Sequence, residues 1–271
     1  MPPIKKPDQE KVAKIEPTYE LSSDELYQLT NELINDKTLN IPERHRFVTV
    51  EVGPNEAYSN VARHIEQVVF RNDFGDDDLK GEFETYEQSS RFFISIDRKE
   101  EKATGAIRAI ENSPAGFETI RDLSNPPFDI PEGEWVKKHD VSDLDKVWDI
   151  ATLAVLPEYR TGSVSLQLFR AVYKSAVENH DIEHFVAIID KKALSLLEKF
   201  FGVAFQRLAG SEGTKYHHSS WSQPVYGHLP DLYLIAHHRM GAPMLGKAAS
   251  RAAEVLVMGT NDESLVLDTK N

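Results

Sequence analysis

The chain has 271 residues, with 31 Lys and Arg against 44 Asp and Glu, a formal net charge of −13. This argues against a general nucleic-acid binder and requires contact with any anionic ligand to be local. Hydrophobic residues at 40% and charged residues at 28% give ordinary globular usage and a sizeable core, and the absence of cysteine excludes disulfides, thiolate metal sites and a cysteine nucleophile.

Residues 1 to about 20 mix Pro2, Pro3, Pro7 and Pro17 with alternating charges, a composition that predicts a mobile lead. Neither this opening nor any later run has the apolar length of a secretion signal or a membrane span, so no span and a cytoplasmic protein are expected. Ser22 or Ser23 can cap a short helix over 24–34, striped by Leu26, Leu29, Leu33 and Ile34. Arg46 to Val52 alternates as a strand, and Asn55 can cap a helix reaching about Val69. The acidic stretch from Asp73 to Glu87 reads as a solvated loop. RFFISI (91–96) and ATGAIRAI (103–110) read as paired strands. Proline and glycine make 113–133 an irregular insertion.

From Val147 the order is strand (VWDIATLAV), turn (PEYRTGS), helix (163–179), strand (HFVAIID) and helix (KKALSLLEKFF), which predicts an α/β layer with at least one parallel pairing. Short strand-like pieces follow, and a helix is expected near 245–256 in the tail. The domain reading is a lead with a short helix (1–40), one main domain (41–240) and a C-terminal tail (241–271).

The turn between strand and helix places free backbone N–H groups and the positive end of a helix dipole beside Arg160, Ser163 and Ser165, which suits phosphate. LAVLPEYRTGSVS resembles the acetyl-coenzyme A motif of the GNAT superfamily of N-acyltransferases, P-x-x-R-x-x-G-x-G/A after a strand. DKKALSLLEKFFG is similar to the family's N-x-x-A-x-x-x-Y-E-K-x-G-F helix, with Asp190, Ala193, Glu198 and Lys199 in register. Both motif glycines are serines here, Ser163 and Ser165, and the family's tyrosine is Leu197. Upstream, Arg63, Phe70, EFETYEQSSRFFISID, GAIR and WDIATLAV resemble the N-acyl amino acid synthase and autoinducer synthase branch, with Thr152 in place of that branch's arginine. SSWSQPVYGHLPDL is similar to the loop after the last motif in N-acyl amino acid synthases.

The resemblance implies a GNAT-like mixed central sheet flanked by helices, α/β (α+β) in class. It also implies transfer of an acyl group from acyl-CoA or an acyl carrier protein thioester, used as co-substrate with no permanently bound cofactor, to a small-molecule amine such as an amino acid. Val155 would pair with the pantetheine arm, and Arg160, Thr161, Gly162, Ser163, Val164 and Ser165 would hold the pyrophosphate. The backbone N–H of Leu153 is the candidate oxyanion donor and Asp149 the candidate route for the amine proton. Since four residues of strand span ~13 Å, contact between these two needs a bulge or a water relay. The bland alternative pairs Asp149 with a nearby base. Arg108 would clamp a carboxylate or phosphopantetheine, and Glu84 and Glu87 would hold an ammonium; alternatively Arg108 pairs with Glu84 or Glu87 for structure. Trp221 and Tyr226 are candidates for lining an acyl pocket or for plain packing. A carrier protein, itself acidic, would need a basic dock such as Lys191, Lys192 and Lys199. The histidine pairs are poorly spaced as chelates, so no metal is expected. The competing function is a non-catalytic GNAT-like module that binds an acyl thioester and regulates a partner.

Overall fold

The computed structural model describes residues 15–36, 46–160, 163–201, 205–217 and 219–232, and the backbone of 266–268. Helix α1 (Ser23–Asn35) starts at Ser22 with a reciprocal capping box, Ser22 accepting from the Glu25 N–H and Glu25 accepting from the Ser22 N–H. Strand β1 (Phe47–Val52) follows. Helix α2 runs Ser59–Phe74, later than the expected cap at Asn55, because Gly53 to Tyr58 forms turns in which Glu56 accepts from the Gly53 N–H at 2.6 Å. It ends at Gly75, whose φ of 70° is the left-handed turn that favours glycine.

The acidic stretch is not a solvated loop. Helix α3 (Leu79–Phe83) and a 3-10 turn (Glu84–Ser89) bury Leu79, Phe83 and Tyr86 at helical spacing while their other faces carry the charge. Strands β2 (Ser90–Asp97) and β3 (Lys102–Glu111) pair antiparallel, as expected. The insertion at 113–133 is more regular than its prolines suggest. It contains helix α4 (Glu118–Leu123), which buries Ile120 and Leu123, and α5 (Glu134–Lys138) lies just beyond, with Trp135 buried.

Strand β4 (Val147–Val155), helix α6 (Ser163–Glu178), strand β5 (His184–Asp190) and helix α7 (Lys191–Phe201) match the predicted order. Strands β6 (Gln206–Arg207), β7 (Thr214–Tyr216), β8 (Ser219–His228) and β9 (Val266–Asp268) complete one mixed sheet in the order β6-β8-β5-β4-β3-β2-β1-β9, with β7 on β8. The pairs β4/β5 and β1/β9 are parallel. The helix expected near 245–256 lies outside the described residues.

Helix α2 covers one face through Val61, Ala62, Ile65 and Val69, and α6 covers the other through Val164, Leu168, Ala171 and Val172. A fully buried Val, Leu or Ile contributes roughly 1.5–3 kcal/mol, so these stripes hold both helices to the sheet. Gly105 permits the close approach: a Cβ there would meet the Ala154 carbonyl oxygen at 2.9 Å and Leu168 at 3.1 Å. No helix of the described residues is long and apolar enough to cross a membrane.

Candidate active site

Strands β4 and β5 pair only from Val147–Asp149 to His184–Val186. Beyond that point their ladder stops, and a cleft of about 150 Å³ lies between them, lined by Ile150 and Leu153 on one strand and Ala187 and Ile189 on the other. A bulge starts this parting. The register on β3 runs Arg108 to Thr152 and then Ala109 to Ile150, leaving Ala151 as an extra residue on β4. Leu156 donates to the Thr104 carbonyl on β3 at 3.0 Å, so by the alternation of an antiparallel ladder the N–H groups of Leu153 and Val155 face the other edge, where β5 has parted. The Val155 carbonyl on that edge accepts from Arg160 Nε at 2.8 Å.

The lining is mixed in chemistry: Leu153, Phe169, Ile189 and Ala193 are apolar, with Asp190 among them, and Asp76, Glu82 and Glu118 interact with one another or with Tyr216 and His217. Asp149 is fully buried at the last paired position of β4, does not itself line the cleft, and interacts with the lining acid Glu118. Its Oδ2 accepts the Thr119 N–H at 2.7 Å from the start of α4, and its Oδ1 is buried with no hydrogen-bond partner among the described residues. No base pairs with it there. Burial pushes Asp149 up to about 7, against the Thr119 hydrogen bonds and with help from Asp122. Burial and the Asp149 charge push Glu118 well above the carboxylate range, and burial raises Glu82. Asp122 differs: burial raises it, but His217, Tyr216 and Arg121 outweigh that and hold it low. His217 is raised by its hydrogen bond to Asp122.

Arg108 and Glu87 sit together, away from Glu84. Arg108 is fully buried, donating to Glu66 Oε2 at 2.6 Å, Tyr19 Oη at 2.7 Å and Glu87 Oε1 at 3.4 Å. Glu87 also takes Arg63 Nη2 at 2.6 Å and the Tyr19 hydroxyl. Thr152, in place of the branch's arginine, donates to Glu66. Burial alone would raise Glu87; Arg108 and Arg63 hold it below the ordinary value. Glu84 is exposed on the 3-10 turn.

In the turn after β4, Arg160 is partly exposed and its Nη2 pairs with Asp73 Oδ2 at 2.6 Å. Val164 and Ser165 are buried in the first turn of α6, Ser163 is exposed, and Thr161 and Gly162 lie outside the described residues. Leu197 is a core residue of α7, 2% exposed. Lys191, Lys192 and Lys199 are exposed on α7. Trp221 packs with Ala187 and Val225, and Tyr226 stacks on His139 and bonds His184 at 2.7 Å; neither lines the cleft. Sequence reasoning missed Glu66, Glu82, Glu118, Asp122 and Tyr216, and weighed His217 only as a metal ligand. Glu118 had one usable signal, FETIRDL, a helical apolar spacing inside a stretch rich in proline and glycine.

No family model and no curated protein matches the chain. Among solved structures it is similar to FeeM, an N-acyl amino acid synthase from uncultured soil microbes, at 17% identity and a TM-score of 0.49 over 70% of this chain and 94% of that one. It is also similar to BjaI, a CoA-dependent acyl-homoserine lactone synthase, at 14% identity and a TM-score of 0.46 over 76% of this chain and 98% of that one.

Proposed function

We propose that the protein is a GNAT-type N-acyltransferase, its catalytic domain spanning 41–240, that moves an acyl group from acyl-CoA or an acyl carrier protein thioester to the amine of a small molecule. The observation that carries this reading is the parted edge of β4. It presents the Leu153 N–H to a cleft lined by apolar and acidic residues, with the buried acid Asp149 where the β4/β5 pairing stops. The neutral amine attacks the thioester carbon, and the developing oxyanion is held by the Leu153 N–H. The nitrogen gives up its proton through water to Asp149, whose value, pushed up to about 7, suits a base working near neutral pH. The C–S bond breaks, the thiolate leaves, and it takes a proton from solvent, since Leu197 offers none. Amide and free thiol are the products.

Val155, Arg160, Thr161, Gly162, Ser163, Val164 and Ser165 would hold the pantetheine arm and pyrophosphate, with Arg160 exchanging Asp73 for phosphate. For a carrier-protein donor, Lys191, Lys192 and Lys199 would form the basic dock. Glu87 and Arg108 keep the substrate role suggested by the motifs only if the Tyr19 contacts open, whereas Glu84, exposed and away from them, would hold an ammonium at the surface. A second reading, a non-catalytic acyl-thioester-binding regulatory module, is favoured by one observation: the position of the family's tyrosine is a core leucine.

The test is free-thiol release by the purified chain from short- and long-chain acyl-CoA and from acyl carrier protein thioester, each with and without an amine mixture. Release requiring both donor and amine is expected. Tight acyl-CoA binding without release from any donor would move the assignment to the regulatory module.

A further inference from the structure

The carboxylates at the cleft outnumber their cations. Among the described residues that line it, Asp76, Glu82, Glu118 and Asp190 are acids, His217 is the one basic side chain, and none is lysine or arginine. His217 is committed to Asp122, which also takes Tyr216 and Arg121. Arg121 reaches Glu118 at only 3.5 Å, and Glu82 makes no ion pair among the described residues. Asp190 caps α7 by accepting the Lys192 N–H at 2.7 Å. Behind Glu118, the buried Oδ1 of Asp149 has no hydrogen-bond partner there. Phe70, Phe74 and Phe83 line the same cleft, the first two with ring centroids 5.4 Å apart, and offer apolar surface that suits a methylene chain. The arginine nearest in chemistry to a carboxylate clamp, Arg108, is fully buried and already satisfied by Glu66, Tyr19 and Glu87.

Resting on the acyl-transfer reading above, we propose that the acceptor is a cationic amine with an apolar stem and no carboxylate, an α,ω-diamine being its simplest form, rather than an amino acid. Its second ammonium sits between Glu82 and Glu118, its stem runs along these phenylalanines, and the reacting amine points to the parted edge of β4. An α-carboxylate at this place would find no lysine or arginine in the lining, and the nearest cations, Arg121 and His217, are already shared by Glu118 and Asp122. The carboxyls held high by burial and mutual repulsion fit the same picture, because an ammonium arriving beside them favours their ionised form.

Lysine and 1,5-diaminopentane differ only in the carboxylate, so their comparison isolates it. Calorimetric titration of the full chain with each, at pH 6.5 in two buffers of different ionisation enthalpy, is expected to show the diamine binding at least about tenfold tighter, with net proton release. Glu118→Gln, and separately the half-buried Glu82→Gln, are expected to weaken the diamine about tenfold and to reduce the proton release. Equal or tighter binding of lysine overturns the proposal, as does absence of diamine binding to folded protein. The thiol-release assay separates the two levels. Release with amino acids but not with diamines leaves acyl transfer standing and removes this acceptor class. Diamine binding with no release from any donor keeps the cation site and removes acyl transfer.

Discussion

Two buried clusters built from similar side chains behave in opposite ways. Around Arg108, two arginines meet two glutamates, and the Tyr19 and Thr152 hydroxyls fill remaining hydrogen-bonding positions. Around Asp149, the acids Glu82, Glu118 and Asp122 share Arg121 and His217. Burial disfavours charge in both places; the counter-charge differs. Glu87 in the first cluster is held low, whereas Asp149 in the second is pushed to about 7. A balanced network fixes how α2, β3 and β4 pack. An unbalanced one can exchange protons or receive a cation.

The balanced cluster should break hardest. Arg108→Leu leaves Glu66 and Glu87 buried without their shared cation, which costs about 3–5 kcal/mol. Thermal melting should show this as a fall of about 6 °C or more. A change under about 2 °C would mean that the network is not the support of the α2 face. For the unbalanced cluster the same logic runs backwards. Asp149→Asn keeps an acceptor for Thr119 and removes a charge that has no partner, so at pH 8 the variant should melt at or above the parent while thiol release falls about 10²-fold or more. Loss of stability together with activity would instead assign Asp149 a packing role.

The pH dependence of stability separates the clusters without a change in sequence. The folded-state value of Asp149 lies above its ordinary 3.8, so between about 4 and about 7 the folded chain holds more protons than the unfolded one, and this group makes stability fall as pH rises through that window. Glu87 has the opposite sign: its folded value is depressed, so its contribution is present above the ordinary value of 4.5 and is lost as the medium is acidified through the folded one. Denaturation midpoints from pH 3 to 8 should therefore pass through a maximum at about pH 4 to 4.5, and Asp149→Asn should flatten the alkaline limb alone. An unchanged alkaline limb in that variant would assign it to Glu118 or Glu82.

The sequence carried the frame of the fold well and the chemistry of its clusters poorly. Periodicity in VWDIATLAV, HFVAIID and the two helices after them reports local burial, and local burial survives into the sheet. The acidic run over 73–87 misled because its charge count hid Leu79, Phe83 and Tyr86, whose spacing is helical. Glu66 and Thr152 stand 86 residues apart in the chain, and Tyr19 reaches Arg108 across 89, so no spacing rule could pair them. The bulge at Ala151 is equally silent, since it is a property of the β3/β4 register. Asp149 was legible as a candidate through the resemblance of WDIATLAV to the branch's motif; its neighbour Glu118 comes from a helix the prolines concealed.

The smallest expected effect concerns the Arg160 turn, where charge is balanced at the surface rather than in the core. Arg160 is 39% exposed and Asp73 31%, so their pair is worth at most about 1 kcal/mol to stability. If the turn receives the donor's pyrophosphate, Asp73 competes with it for the same guanidinium. Asp73→Asn should then leave the melting temperature within about 2 °C and tighten binding of coenzyme A by a few fold, while Arg160→Gln weakens it by about tenfold, or roughly 1.4 kcal/mol. The Nε bond from Arg160 to the Val155 carbonyl, 2.8 Å, holds the side chain in place in either case, so Arg160→Lys should recover only part of the affinity. Weaker binding in Asp73→Asn would make the carboxylate an orienting partner of Arg160 and not its competitor, and would bring this surface pair under the rule seen around Arg108, where the counter-charge is part of the structure.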